Sequence, residues 1–337
     1  MIRFGIVGMG IRGSLFADTI RQNLYAEVAA ISDTYEETLK KSMDKYDVPG
    51  YLDAGEMMEK ERLDALIIAT PDFLHKQPFM LAAGKGLHIM VEKPFSTSTM
   101  EAEEMFRAVK TAGVKCLVAF ENRWNSPFVA VKNAVQNGDI GRIITINSRL
   151  NDTIYVPTTM LKWSKGSSPG WFLLSHAVDM AVWLKESKPV SAYAVGTKKK
   201  LISMGLDIYD SIQAIVSFDD DTHAAFTTSW ILPDSMPMIY DFKYEIIGET
   251  GALYVDLTDQ MVRKAGTEFK HVHTMGTIIN GQFTSAPSYM LNSFIDNIRL
   301  DTKPSSDAAA GLLNTQLIHA IHRSIETGTV VSLHNPD

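Results

Sequence analysis

The sequence predicts an α/β chain in two parts: a doubly wound parallel sheet over residues 1–122, then an α+β domain over 123–337 with a large, mostly antiparallel open sheet. Three observations predict it. A glycine-rich turn follows the first apolar run. Apolar runs and amphipathic stretches then alternate, joined by short loops, as far as residue 120. Beyond residues 121–127 the rhythm changes to successive extended segments. Alternation of the first kind means parallel βαβ units. At roughly 150 residues per domain, 337 residues also suggest two domains.

Arg3 to Gly13 reads RFGIVGMGIRG. Phe4, Ile6 and Val7 make a short buried strand, and Gly8, Gly10 and Gly13 follow at G-x-G-x-x-G spacing. Apolar Leu15, Phe16 and Ile20 recur at helical spacing, so a helix starts at the last glycine. Gly8 permits the tight turn, Gly10 lets a pyrophosphate approach the backbone, and Gly13 lets helix and strand pack closely. The free N–H groups of that helix start, around Ile11 and Arg12, attract a dianion. A second apolar run, Val28 to Ile31, ends in Asp33, near the ~20-residue distance at which an acid binds the adenosine ribose. No Arg or Lys stands beside it, so NAD(H) is expected over NADP(H). A glycine turn with no ligand is the plainer reading. The order of strand, turn, helix, strand and acid speaks against it.

The next elements follow in order. Tyr35–Tyr46 and Ala54–Glu61 are helical, and Leu63–Ala69 is a buried strand running into Thr70, Pro71 and Asp72. A helix to about Ala83 leads to the strand Leu87–Val91, followed at once by Glu92, Lys93 and Pro94. Helix Met100–Thr111 leads to the strand Val114–Phe120, then Glu121, Asn122 and Arg123. Ligands bind at the carboxyl ends of such strands, where these polar residues stand. In the second part, Phe128–Asn137 is helical. Strands are expected at 143–150, 190–197, 210–218, 222–230, 240–248 and 252–257, with Asp219 to Asp221 as a hairpin turn. Helices are expected at Ser288–Arg299 and Ala308–Thr327.

Composition excludes several classes. Thirty-nine acidic against 32 basic residues leave a net charge of -7, which argues against nucleic-acid binding. The one cysteine, Cys116, permits no intrachain disulfide and fits a reducing cytoplasm. It reads as a small core residue and not as a nucleophile. The first strand leaves no room for a signal peptide, and no apolar window approaches the ~18 residues of a membrane span. His271 with His273 and His319 with His322 lack the Cys or carboxylates that would complete a zinc set, so no metal is expected.

G-x-G-x-x-G at the N-terminus, Thr-Pro-x-x-x-His at Thr70 to His75, and Glu92-Lys93-Pro94 after the next strand together resemble the Gfo/Idh/MocA oxidoreductase family. The tripeptide is the distinctive part, and the resemblance covers nearly the whole chain. It implies a Rossmann domain that holds NAD through Gly8, Gly10, Ile11, Arg12, Gly13, Asp33, Thr70, Pro71, His75, Glu92, Lys93 and Asn122. It also implies a cis bond before Pro94, and a second-domain sheet with helices on one face. The other face of that sheet would make a homodimer or homotetramer contact. Within Gly170 to Leu184, His176 and Asp179 map onto a His-x-x-Asp of the family and, three apart on a helix, share one face. The family's sugar and inositol dehydrogenases usually carry an acid four residues before that histidine; here Phe172 stands there.

The expected reaction passes a hydride between nicotinamide and a secondary alcohol or carbonyl of a sugar, polyol or inositol-like substrate, while the protein handles one proton. Lys93 is the first candidate base: burial and the charge of NAD⁺ would depress its pKa. A surface lysine in a turn is the alternative. Glu92 would orient the loop. His176 is the second candidate, as shuttle or substrate ligand, or else a buried histidine under a helix. Asp179 would fix its tautomer or be a plain helix-face carboxylate. Arg123, with Asn122 and Lys165, would line the substrate side. Trp163 suits core packing as well as a sugar platform. Two other functions stay open: a glycoside hydrolase that retains NAD and works by transient oxidation and elimination, and a non-catalytic dinucleotide-binding regulator.

Overall fold

A computed structural model describes residues 1–333 except Glu186 and Met275. Contacts divide the chain into two compact units. The first comprises residues 1–124 and 277–315, the second 125–276 and 316–337. The sequence expectation of one cut after residue 122 did not include the return of 277–315 to the first unit.

The first unit opens with β1 (Ile2–Val7), α1 (Ile11–Ile20), β2 (Ala26–Ser32), α2 (Glu36–Tyr46), β3 (Gly50–Tyr51) and α3 (Ala54–Lys60). It continues with β4 (Ala65–Ile68), α4 (Lys76–Gly84), β5 (His88–Val91), α5 (Thr99–Ala112) and β6 (Cys116–Val118). The strands form one sheet in the order β3-β2-β1-β4-β5-β6, every pair parallel. The order reverses between β1 and β4, and ligands bind at such a switch point. The strands are buried on both faces, so they read as continuous apolar runs. Leu66, Ile68, Ile89 and Val91 pack under α3, α4 and α5, while Ile6, Ile67 and Met90 face the opposite core. Local chemistry sets the helix ends: Asp53 and Ser98 cap α3 and α5 through the N–H groups of Glu56 and Glu101. Gly113, at φ +66°, ends α5 in the left-handed region.

The second unit holds α6 (Ser126–Gln136), β7 (Ile143–Thr153), α7 (Ser175–Leu184), β8 (Pro189–Thr197), α8 (Lys200–Ser203), β9 (Ser211–Phe218), β10 (His223–Leu232), β11 (Tyr240–Gly248) and β12 (Ala252–Asp256). Short hairpin strands β13 (Arg263–Ala265) and β14 (Phe269–His271) follow, then β15 (Gly276–Ile279) and β16 (Gln282–Ser285). The chain ends in α9 (Ala286–Arg299), α10 (Ala308–Thr327) and β17 (Val331–Ser332). The large sheet runs β12-β11-β7-β10-β9-β8-β17 and is antiparallel but for the parallel pair β7–β10. Asp219 to Asp221 turn the β9–β10 hairpin. The β13–β16 hairpins have no counterpart in the sequence expectation, because their strands of three or four residues are too short to show a period.

On β10, Ala224, Phe226, Thr228 and Trp230 are buried and alternate with more open residues, so one sheet face is covered. The Tyr244 hydroxyl donates to the Ala177 carbonyl and pins α7 there. The return of 277–315 closes the first unit in two ways. Phe294 of α9 packs edge-on against Phe4 at 6.5 Å. Ser306 takes the open edge of β6, accepting from Val118 N–H at 2.7 Å and donating Oγ to Val118 O at 2.7 Å. An unpaired strand edge would otherwise face solvent.

Candidate functional site

The glycine turn is built as its spacing requires. Gly8 has φ +89°, and a Cβ there would meet the Ala69 carbonyl oxygen at 2.7 Å. A Cβ on Gly13 would fall 1.9 Å from the Gly8 carbonyl oxygen. Around Gly10 nothing lies within 4 Å of a Cβ position. The turn is therefore tight on the protein side and open where a ligand would approach. No side chain caps α1, so a helix start normally satisfied by a cap has no side-chain cap here.

Asp33 stands at the end of β2 and joins the turn directly. One carboxylate oxygen accepts Met9 N–H at 2.7 Å, the other Tyr35 N–H at 2.9 Å. A carboxylate offers about four lone-pair positions, so two remain for ribose hydroxyls. Thr70, at the end of β4, has a buried hydroxyl with no hydrogen-bond partner among the described residues. The open space at Gly10, the uncapped helix start, the acid and this hydroxyl together fit a dinucleotide. Ile11 is 72 % exposed.

Asp33→Ala is expected to weaken NAD(H) more than NADP(H), because a carboxylate at the ribose would both accept from its hydroxyls and repel a 2′-phosphate. Titration of both cofactors reads the ratio; an unchanged ratio would remove Asp33 from the ribose site.

Lys93 and Pro94 follow β5, and their peptide bond is cis. The loop is braced from below. His75, 1 % exposed, sets Nδ1 2.9 Å from the Pro94 carbonyl oxygen and Nε2 3.1 Å from that of Thr70. Burial pushes the pKa of His75 down, against the pull of Asp72 and the two carbonyls. His75 thus stands under the loop as its brace. Thr315 of α10 donates to Ser96 O at 3.1 Å, and Gly311 leaves room for the Phe95 ring. Glu92 accepts Lys93 N–H at 3.2 Å and Arg12 Nε–H at 2.5 Å. Arg12 also donates Nη2–H to Glu121 at 2.9 Å. Lys93 is half-buried. Burial lowers its pKa; Glu92, Glu121 and Asp72 oppose that shift, and Arg12 adds to it.

Asn122 lies half-buried in the short turn after β6. Arg123, expected at the substrate, is 9 % exposed and donates Nη1–H to the Ser305 carbonyl at 2.5 Å. It secures the returning segment.

In the second unit, His176 and Asp179 occupy the first turns of α7. His176 is half-buried and Asp179 is buried; burial pushes the Tyr244 hydroxyl's pKa up, and the Asp179 charge adds to it. A π-helical turn, Gly170–Leu174, leads into α7 and carries Phe172. Phe172 stands between two indoles, its centroid 6.0 Å from Trp163 and 5.7 Å from the fully buried Trp230. Trp163 therefore packs in an aromatic cluster. The sequence did not bring Trp230 into view, because β10 lies far from both partners in the chain.

Ser168 fixes the same lead-in by donating Oγ–H to His322 Nε2 at 2.7 Å, while His322 Nδ1 donates to Ile318 O at 2.8 Å. His322 also stacks on Trp171 at 5.1 Å. Its role is structural. Among the described residues no group of three His, Cys, Asp or Glu is placed to hold a metal ion.

Comparison with known proteins follows the same division. The family description "Oxidoreductase family, NAD-binding Rossmann fold" matches residues 2–120, and "GFO/IDH/MocA C-terminal domain" matches residues 128–254. Myo-inositol 2-dehydrogenase of Thermotoga maritima is 24 % identical over 98 % of both chains. Inositol 2-dehydrogenase of Rhizobium meliloti is 25 % identical over 98 % of this chain and 99 % of its own. Among solved structures, scyllo-inositol dehydrogenase from Lactobacillus casei, with bound NAD(H) and scyllo-inositol, superposes with TM-score 0.84 at 20 % identity, covering 99 % of each chain.

Proposed function

Since this chain belongs to the Gfo/Idh/MocA oxidoreductase family and carries its NAD-binding Rossmann domain, we propose that it is an NAD(H)-dependent dehydrogenase of a CH–OH group. The substrate class is a sugar, polyol or inositol-like ring. Relatives named as inositol dehydrogenases align along nearly the whole chain and support the cyclic polyol. The observation that carries the reading is Lys93, a half-buried amine at the carboxyl end of β5 whose pKa burial lowers.

Oxidation removes a hydride from carbon and a proton from oxygen. The nicotinamide, when bound, supplies the hydride chemistry. Gly8, Gly10, Ile11, Arg12, Gly13, Asp33, Thr70, Pro71 and Asn122 form its binding region, with the backbone N–H groups of α1 facing the pyrophosphate. The remaining task falls to this chain: Lys93 Nζ, as the free amine, accepts the hydroxyl proton and returns it in the reverse direction. Glu92 and His75 hold the loop that presents the amine. His176, on α7, is the second proton-handling candidate, and Asp179 its orienting partner.

For the assembly, we propose a second copy meeting the open face of the large sheet. Register places Tyr193, Ile215, Ala225, Asn147, Glu245 and Tyr254 in one row across that face. Tyr193, Ile215 and Tyr254 in that row are exposed apolar residues. No helix among the described residues is long and apolar enough to cross a membrane. The lone buried thiol, Cys116, favours a reducing cytoplasm.

The deciding experiment is a panel of inositols, sugars and their keto forms assayed with NAD(H). Growth or loss of the reduced-nicotinamide absorbance with a cyclic polyol or its ketone is the expected result. Release of free sugar without net NADH would replace the reading by oxidation-assisted glycoside hydrolysis. NAD binding with no turnover of any substrate would leave a regulator.

A further inference from the structure

Arg12 occupies a position in the glycine-rich turn where its charge is unfavourable. It is the second residue of α1, and a cation near a helix N-terminus opposes the positive end of the helix dipole. What offsets this lies far along the chain. The guanidinium bridges Glu92 after β5 and Glu121 after β6, at 2.5 and 2.9 Å, and lies over the Phe16 ring at 5.0 Å. Three strand ends are thereby joined by one side chain. Stability does not account for the arrangement, because partly buried ion pairs often contribute little beyond an apolar replacement.

The consequence falls on the neighbouring amine. The charges of Glu92, Glu121 and the buried Asp72 act on Lys93, with Arg12 the opposing cation. His75, held against the Pro94 and Thr70 carbonyls beneath the same loop, also feels the charges of Asp72 and Glu92. Burial lowers the Lys93 pKa, the three carboxylates oppose that shift, and Arg12 adds to it; a base must give up its ammonium proton before it can take another. We propose that Arg12 is a positioning residue for the base: its fork draws the Glu92 and Glu121 carboxylates into one clamp and offsets their charge beside Lys93. This rests on Lys93 as the base proposed above. The same fork is turned to the carboxylates, which leaves the backbone N–H groups as the pyrophosphate cradle.

The ionisation of Lys93 tests this in two ways. The first is the acidic limb of kcat/KM for oxidation. The second is the pH dependence of Lys93 acylation by acetic anhydride in the cofactor-free protein, read by mass spectrometry. Arg12→Met is expected to raise both midpoints by about 1 unit, the lower end of a nearby-charge effect. Glu121→Gln is expected to lower both, and the double variant to fall between. A merely structural role would lower rates at every pH and leave the midpoints in place.

If Arg12→Met does not fold, Arg12→Gln is read in its place, and unmoved midpoints there overturn the proposal. The two readings fail separately. If Lys93→Met is inactive but neither midpoint moves in Arg12→Met, only the role of Arg12 falls. If Lys93→Met turns over normally, the base assignment falls. A shift in acylation would then still show that Arg12 sets the charge of that amine.

Discussion

Lys93→Met is expected to lower kcat by roughly 10²–10⁴, the range of a lost general acid–base group, while NAD affinity stays near wild type. Methionine keeps the length of the stem and removes the proton carrier. The variant leaves the glycine turn and Asp33, the proposed cofactor contacts, unchanged.

The sign of the pH dependence follows from the direction of the shift. Burial lowers the Lys93 pKa, so the free amine forms at a pH below the ordinary lysine value of about 10.4. With Lys93 as the proposed base, oxidation uses the free amine, so its rate should rise through that lowered pKa and then level. Reduction uses the ammonium and falls over the same interval. In Lys93→Met this limb disappears from both directions. Steady-state rates across pH, with cofactor affinity by calorimetry, read all of this. Wild-type kcat in the variant would remove Lys93 from the chemistry.

Gly13→Ala is expected to weaken NAD binding by roughly 10²-fold. The added Cβ would lie 1.9 Å from a backbone oxygen of Gly8, so α1 must withdraw from β1. Its N-terminal N–H groups then leave the place where a pyrophosphate would accept from them. Hydrogen bonds to a charged group contribute ~1.5–3 kcal/mol each, and each 1.4 kcal/mol is about tenfold in affinity. The forced shift also costs about 1–3 kcal/mol of stability as overpacking.

Gly10→Ala is the matched control. Its Cβ would enter open space, so the melting temperature should hold while binding still falls. Calorimetric titration and thermal melts of both variants give the comparison. Undiminished binding in Gly13→Ala would mean that the turn is not the cofactor cradle.

Much of this site was readable in chain order, for physical reasons particular to each residue. Gly8 and Gly13 answer to backbone conformation and close approach within eleven residues of chain. Asp33, Thr70 and Lys93 stand where a parallel strand ends, and strand ends follow from apolar runs. Arg123 shows the opposite case. Its position after β6 suggested the substrate, yet Ser305, 182 residues on, holds its guanidinium. His75 belongs to a motif associated with the cofactor, and the folded chain sets it beneath the loop against two carbonyls. Phe172 was visible as a departure from an acid, but its seating between Trp163 and Trp230 was not.

By itself the sequence determined the parallel βαβ half, the glycine turn with its acid, the strand-rich second half and the amine at the end of β5. Backbone dihedrals, side-chain periods and turn chemistry act over a few residues, and chain order records them. Tertiary structure alone decided that residues 277–315 close the first unit, that Arg12 joins carboxylates 80 and 109 residues away, and that His322 anchors the lead-in to α7. Charge and desolvation depend on distance in space, which sequence separation does not encode.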